Sequence, residues 1–138
     1  MLLVLDSSVI VAAFREEENK HEECKKLLED AINGKHVVIL PTICLVEVVS
    51  AIRRRTGDES LANRIKDYIL GIDNIYFIEV TKTVSVHASD ISIKTGLKGM
   101  DAIVVQIAKE NKASLITLDK EMGNLSKNIV KIISIDRI

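Results

Sequence analysis

Tryptophan is absent, and two tyrosines and two phenylalanines are the only aromatic residues. The 47% hydrophobic fraction therefore rests on Ile, Leu and Val, and it is ample for one core in a chain of 138 residues. Cysteine is scarce too. Cys24 and Cys44 are too few for a disulfide framework, and their helical surroundings read as ordinary reduced thiols. The longest apolar runs fall well short of the ~20 residues of a membrane-spanning helix. A glycine-rich phosphate loop is missing, which argues against P-loop nucleotide hydrolysis. Neither sign of charge is in excess, with 19 Lys plus Arg against 20 Asp plus Glu and a net charge of −1. Any nucleic-acid binding must then use a local patch. The first residues lack the basic segment that precedes the apolar stretch of a secretory signal. Met1 to Asp6 is expected to be folded structure, and the protein is expected to be cytoplasmic.

What is there begins with the first strand. Met1-Leu2-Leu3-Val4-Leu5 is an unbroken apolar run closed by Asp6. Such a run suits a strand buried on both faces of a parallel sheet covered by helices. Ser7 to Phe14 reads as a short apolar helix capped by Asp6 or Ser7. A second helix is expected from about Lys20 to Ile32, burying Cys24, Leu27, Leu28, Ala31 and Ile32. Val37 to Leu40 reads as a strand stopped by Pro41-Thr42, and Ile43 to Arg55 as a helix apolar nearly all round. A helix capped by Asp58 or Ser60 reaches Leu70, with Leu61, Ile65 and Ile69 available for self-association. Ile75 to Val80 is a third strand, Val84 to Thr95 a helix, and Ala102 to Lys112 a strongly apolar helix. Ser114 to Leu118 is a fourth strand, Lys120 to Leu125 a short helix, and Val130 to Ile135 a fifth strand. Strands and helices in alternation imply one α/β domain over residues 1–138, with a five-stranded parallel sheet between helical layers.

Four acids stand where such a sheet places ligands, beyond the carboxyl ends of its strands. Asp6 and Asp119 close strands, Asp101 precedes a helix, and Glu47 lies within one. Taken singly, Asp6, Asp101 and Asp119 also read as helix N-caps. Glu47 does not, because aliphatic residues flank it on both sides. It either joins an exposed stripe with Ser50 and Arg54 or faces a polar cleft, since an unpaired buried carboxylate is very costly. Gathered together, four carboxylates repel one another unless a cation joins them. Hard oxygen ligands suit Mg²⁺ or Mn²⁺ rather than Zn²⁺. Metal ions held this way activate water and neutralise charge on a phosphodiester.

In four stretches the chain resembles the PIN-domain family, especially its VapC-type toxin ribonucleases. The matching pieces are Leu5-Asp6-Ser7-Ser8-Val9, Leu45-Val46-Glu47-Val48, Met100-Asp101-Ala102-Ile103-Val104 and Ile116-Thr117-Leu118-Asp119. The resemblance implies a three-layer α/β/α fold with strand order 3-2-1-4-5. It implies a metal-dependent endoribonuclease whose Asp6, Glu47, Asp101 and Asp119 hold Mg²⁺ or Mn²⁺. Ser7, Ser8 and Thr117 would support that site. It further implies an RNA substrate, a small antitoxin partner and a homodimer. Many relatives carry an aromatic residue where this chain has Met122. Lys98 and Arg54 are the cations assigned to substrate phosphates, within a wider group that includes Arg53, Arg55 and Lys94.

Other readings of the residues compete. A phosphoacceptor domain would use Asp6 as nucleophile, but it wants a second acid where Ser8 stands. An inactive scaffold of the same fold would only bind RNA or protein, and an RNA-processing nuclease would cleave without being a toxin. His21-Glu22-Glu23-Cys24 lacks the second histidine of a zinc-binding helix, so no metal role is expected there.

Overall fold

A computed structural model describes all residues from Met1 to Ile138. Strand β1 (Leu2–Leu5) lies inside the sheet, paired in parallel with β2 (Val37–Pro41) on one side and β4 (Ser114–Ile116) on the other. Strand β3 (Ile75–Ile78) adds to β2, also in parallel, giving the order β3-β2-β1-β4. Successive strand side chains point to opposite faces. Leu3, Val4 and Leu5 are nonetheless all buried, so both faces of β1 are covered. This is the arrangement that the apolar run at the start of the chain calls for.

The covering helices form two groups. Helix α1 (Ser7–Phe14) packs on α2 (His21–Ile32) and on α3 (Thr42–Thr56), and α3 packs on α4 (Glu59–Leu70). Helix α5 (Lys82–Thr95) packs on α6 (Gly99–Glu110), which in turn lies against β1 and β2. A short α7 (Lys120–Ser126) and a 3-10 turn (Ile135–Arg137) complete the chain. One hydrophobic cluster draws residues from every strand and helix, Met122 of α7 included.

Four strands are formed, not five. The segment expected as a fifth strand makes a single parallel bridge between Leu115 and Ile132. It is held by Leu115 N–H donating to the Lys131 carbonyl at 2.8 Å and Ile133 N–H donating to the Leu115 carbonyl at 3.0 Å. The strand it borders is only three residues long, because Thr117 leaves the ladder. Beyond Ile133 the Ser134 hydroxyl accepts from Asp136 N–H at 3.3 Å and turns the chain into the 3-10 helix.

Three further boundaries move for local reasons. Strand β3 stops at Ile78 because Thr81 caps α5, which starts at Lys82 rather than Val84. Helix α6 starts at Gly99, three residues earlier than expected at Ala102. A three-residue link, Gly96-Leu97-Lys98, joins it to α5. Gly96 takes φ +76°, a left-handed value that residues with a Cβ rarely adopt, and its N–H closes α5 on the Ser92 carbonyl at 2.8 Å. The Ser92 hydroxyl then donates to the Leu97 carbonyl at 2.7 Å, and Leu97 itself is buried. The start of α6, and with it Asp101, is thereby fixed.

The self-association surface expected on α4 is not free. Ile65 and Ile69 are buried in the core and Leu61 packs against it, since the helix turns its apolar face inward.

Candidate active site

Asp6 continues β1 by one step, its N–H donating to the Ile116 carbonyl at 3.0 Å. Its extended backbone and its position before α1 make it the N-cap, with Oδ1 accepting from Ser7 N–H at 2.9 Å. Oδ2 is held from two other directions, by the Ser8 hydroxyl at 2.9 Å and the Thr117 hydroxyl at 3.0 Å. The side chain is buried, and these bonds satisfy a carboxylate in that position. Capping and site placement are thus compatible for this residue. Ser7 contributes its backbone only, whereas Ser8 contributes its hydroxyl, which also accepts from Leu118 N–H at 3.4 Å.

Glu47 lies on α3 within reach of the charges of Asp6 and Asp101. It is half-buried, while Val46 beside it is 67% exposed and Ser50 and Arg54 are exposed. The solvent-facing stripe therefore runs without it. Burial pushes the Glu47 carboxyl above the ordinary range, and the charges of Asp6 and Asp101 add to that push. Asp101 is raised in the same way, first by burial and then by Asp6, Asp119 and Glu121, with Lys98 opposing. Asp101 is not a cap. It is the third residue of α6, and the cap position belongs to Lys98, which makes no side-chain cap bond. Neither Glu47 nor Asp101 gains a side-chain hydrogen bond to offset its burial.

Asp119 is exposed and caps α7, its Oδ1 accepting from Met122 N–H at 3.1 Å. Its own N–H donates to the Thr117 hydroxyl at 3.0 Å, so Thr117 bonds to both aspartates. Glu121, two residues on, is a further acid at Asp101 that the motifs left out; its nearness to Asp119 in the chain was the only signal. Lys98 is exposed and close enough to Asp101 to favour its charge. Arg54 is set apart, lining a shallow depression with Ala51 and Arg55. His21 is structural, its Nδ1 2.7 Å from the Ala12 carbonyl.

Asp6, Glu47 and Asp101 are thus brought within each other's fields from β1, α3 and α6, with Asp119 reaching Asp101 from the edge. No three His, Cys, Asp or Glu side chains stand as a ready-made metal cage. The donor chemistry is uniform: carboxylate oxygens with no histidine among them. Cys44 is fully buried behind them, and burial together with Glu47 and Asp6 raises its thiol far above its normal value, so it stays protonated. An all-oxygen set of this kind fits a hard divalent cation such as Mg²⁺ or Mn²⁺.

A family model described as the PIN domain matches residues 3–128. No curated protein matches the chain. Several solved structures share its fold. VapC20 of Mycobacterium tuberculosis, a toxin that cleaves the sarcin-ricin loop, aligns with a TM-score of 0.77 at 17% identity, covering 94% of this chain and 98% of that one. A toxin–antitoxin complex from Klebsiella pneumoniae gives 0.71 at 15% identity, covering 99% of both chains. VapBC2 of Rickettsia felis, bound to a DNA fragment from its promoter, gives 0.70 at 15% identity, covering 97% of this chain and 98% of that one.

Proposed function

The chain belongs to the PIN-domain family, and from that premise we propose that it is a Mg²⁺- or Mn²⁺-dependent endoribonuclease acting as the toxin of a toxin–antitoxin pair. The observation that carries the reading is the nearness of Asp6 to both Glu47 and Asp101, each of which is raised by burial and by the charge of Asp6. Carboxylates arranged so are destabilised as anions, and a divalent cation removes that cost. Asp6, Glu47, Asp101 and Asp119 would hold the metal. When bound it supplies charge neutralisation for a phosphodiester and activation of water.

The chain's own groups do the rest. Ser8 and Thr117 fix the Asp6 carboxylate by hydrogen bonds to Oδ2, and with Ser7 N–H on Oδ1 they leave the remaining Oδ1 lone pair for the cation. Glu47, with no side-chain partner of its own, accepts a hydrogen bond from the attacking water and orients it. Lys98 lies beside Asp101 and meets the phosphate backbone at the rim. Arg54, on the depression it lines with Arg55, is assigned the more distant backbone.

The structural neighbours include VapC toxins and toxin–antitoxin complexes, which supports a small antitoxin as partner. A homodimer is part of the same proposal. With α4 turned inward, the face offered for it is the exposed side of α5, where Val86 is 51% and Ile93 83% exposed. No helix is long and apolar enough to cross a membrane, and the proposed place of action is the cytoplasm. The test is cleavage of RNA by purified protein in Mg²⁺ or Mn²⁺. Activity that stops with EDTA supports the reading, and full activity in excess chelator contradicts it.

A further inference from the structure

Beside Asp119 the acid site opens into a cavity of about 490 Å³. Ser8, Thr117 and Asp119 line both, so the two are continuous. The volume lies within the range of about 300–1,000 Å³ usual for pockets that take small organic groups. The lining also carries three cations from separate parts of the chain, Lys20, Arg55 and Lys120, with one further acid, Glu18. Leu118 and Ile135 provide an apolar flank.

The three cations are not equally free. Lys20 is committed to Asp136 at 2.8 Å, with Glu23 at 3.9 Å. Arg55 bonds to Glu18 through one terminal nitrogen only, and the same Glu18 oxygen also accepts from Arg15 at 2.8 Å. Arg15 also lies 3.8 Å from Glu17, so Arg55 shares Glu18 with a group that has a second acid, and its other guanidinium nitrogens pair with no acid. Lys120 is exposed and pairs with no acid. A polyanion brought to facing carboxylates is repelled by them. Lys120 and the unengaged nitrogens of Arg55, joined to that site by a shared wall, are where its backbone gains attraction.

We infer that this pocket receives the nucleotide adjoining the scissile phosphate of a single-stranded RNA. Lys120 and Arg55 hold the phosphate of that nucleotide, and its base lies against Leu118 and Ile135. Lys20 shapes the wall through Asp136 and is assigned no phosphate. The inference rests on the nuclease reading and adds to it the groups that set KM.

The test compares the parent with Lys120→Ala and with the double variant Lys120→Ala/Arg55→Ala. A control double variant, Lys82→Ala/Lys109→Ala, removes equal charge from exposed positions on α5 and α6 outside the pocket lining. Cleavage of a short single-stranded RNA is measured in saturating Mn²⁺, and binding of the same RNA is measured by anisotropy in EDTA. The double variant should raise KM and weaken EDTA binding by on the order of tenfold, with kcat nearly unchanged, as for loss of charge-assisted phosphate contacts. Lys120→Ala should show part of this, and it stays informative if loss of Arg55 disturbs folding. The control should match the parent. Substrates trimmed by one nucleotide on one flank should abolish the difference between parent and variant. Equal KM and binding in Lys120→Ala and the parent, or an equal loss in the control, overturns the pocket. Polyglutamate displacing the RNA as well as a mononucleotide does also overturns it, in favour of an acidic protein segment. A parent that never cleaves would defeat the nuclease reading, while the EDTA binding arm would still decide the pocket.

Discussion

The Thr117 hydroxyl donates to Asp6 Oδ2 at 3.0 Å across 111 positions of sequence. The Thr117 hydroxyl oxygen in turn accepts from Asp119 N–H at 3.0 Å, so one side chain ties the end of β1 to the start of α7. Thr117→Val keeps the shape and removes both bonds. Asp6 is buried and keeps Ser8 and Ser7 N–H as partners, so the expected loss is about 1 kcal/mol of stability by urea unfolding. RNA cleavage should fall with it, because the Asp6 carboxylate loses one of the three hydrogen bonds that orient it. Thr117→Ser restores the hydroxyl and should recover most of both. Unchanged cleavage in Thr117→Val would remove Thr117 from the site.

Asp119 separates capping from the proposed chemistry. Its Oδ1 caps α7 through Met122 N–H. Asparagine caps as well as aspartate, whereas alanine does not, a difference of about 1 kcal/mol. Asp119→Asn should therefore unfold at nearly the parent's urea midpoint, and Asp119→Ala earlier. Both should lose cleavage to a similar extent. An active Asp119→Asn enzyme would leave the residue as a cap alone.

The raised carboxyls of Glu47 and Asp101 set the sign of a pH effect in metal-free protein. Their folded values lie above their unfolded ones, so the folded chain binds more protons between the two. Stability from this source is fully present below the ordinary carboxylate range and is lost as pH rises through the raised values. Melting temperature in EDTA should carry this fall from about pH 4 upward. Glu47→Gln should flatten it, because the group no longer titrates. An identical pH profile for the variant would show that Glu47 is not held among the other acids.

Much of this was legible in the sequence, and the reasons are local. The apolar run ending at Asp6 marked a strand covered on both faces. Glu47 stood out because an acid inside an aliphatic helix has few places to go. What failed depended on distant partners. Val130 to Ile135 has the composition of a strand, yet pairing requires a neighbour, and β4 ends at Ile116 when Thr117 turns to Asp6. Ile65 and Ile69 looked available for self-association, but only the packing of α4 decides which of its faces is inside. Asp101 was placed ahead of a helix, although α6 begins at Gly99 without any side-chain cap to announce it. Lys20 and Lys120 reach one pocket wall from opposite ends of the chain, a meeting that no spacing within the sequence encodes.

The most direct test of the four-acid site is Asp101→Asn, followed by thermal melting with and without Mn²⁺ and by RNA cleavage. Without metal, the variant loses a charge favoured at the start of α6 and is relieved of repulsion from Asp6 and Asp119. These oppose each other, and its stability should stay within about 1 kcal/mol of the parent. A ligand that binds only the folded state raises the melting temperature. Mn²⁺ should therefore stabilise the parent, and the variant clearly less, with cleavage abolished. A variant that still cleaves RNA and shows an undiminished Mn²⁺ shift would contradict the account.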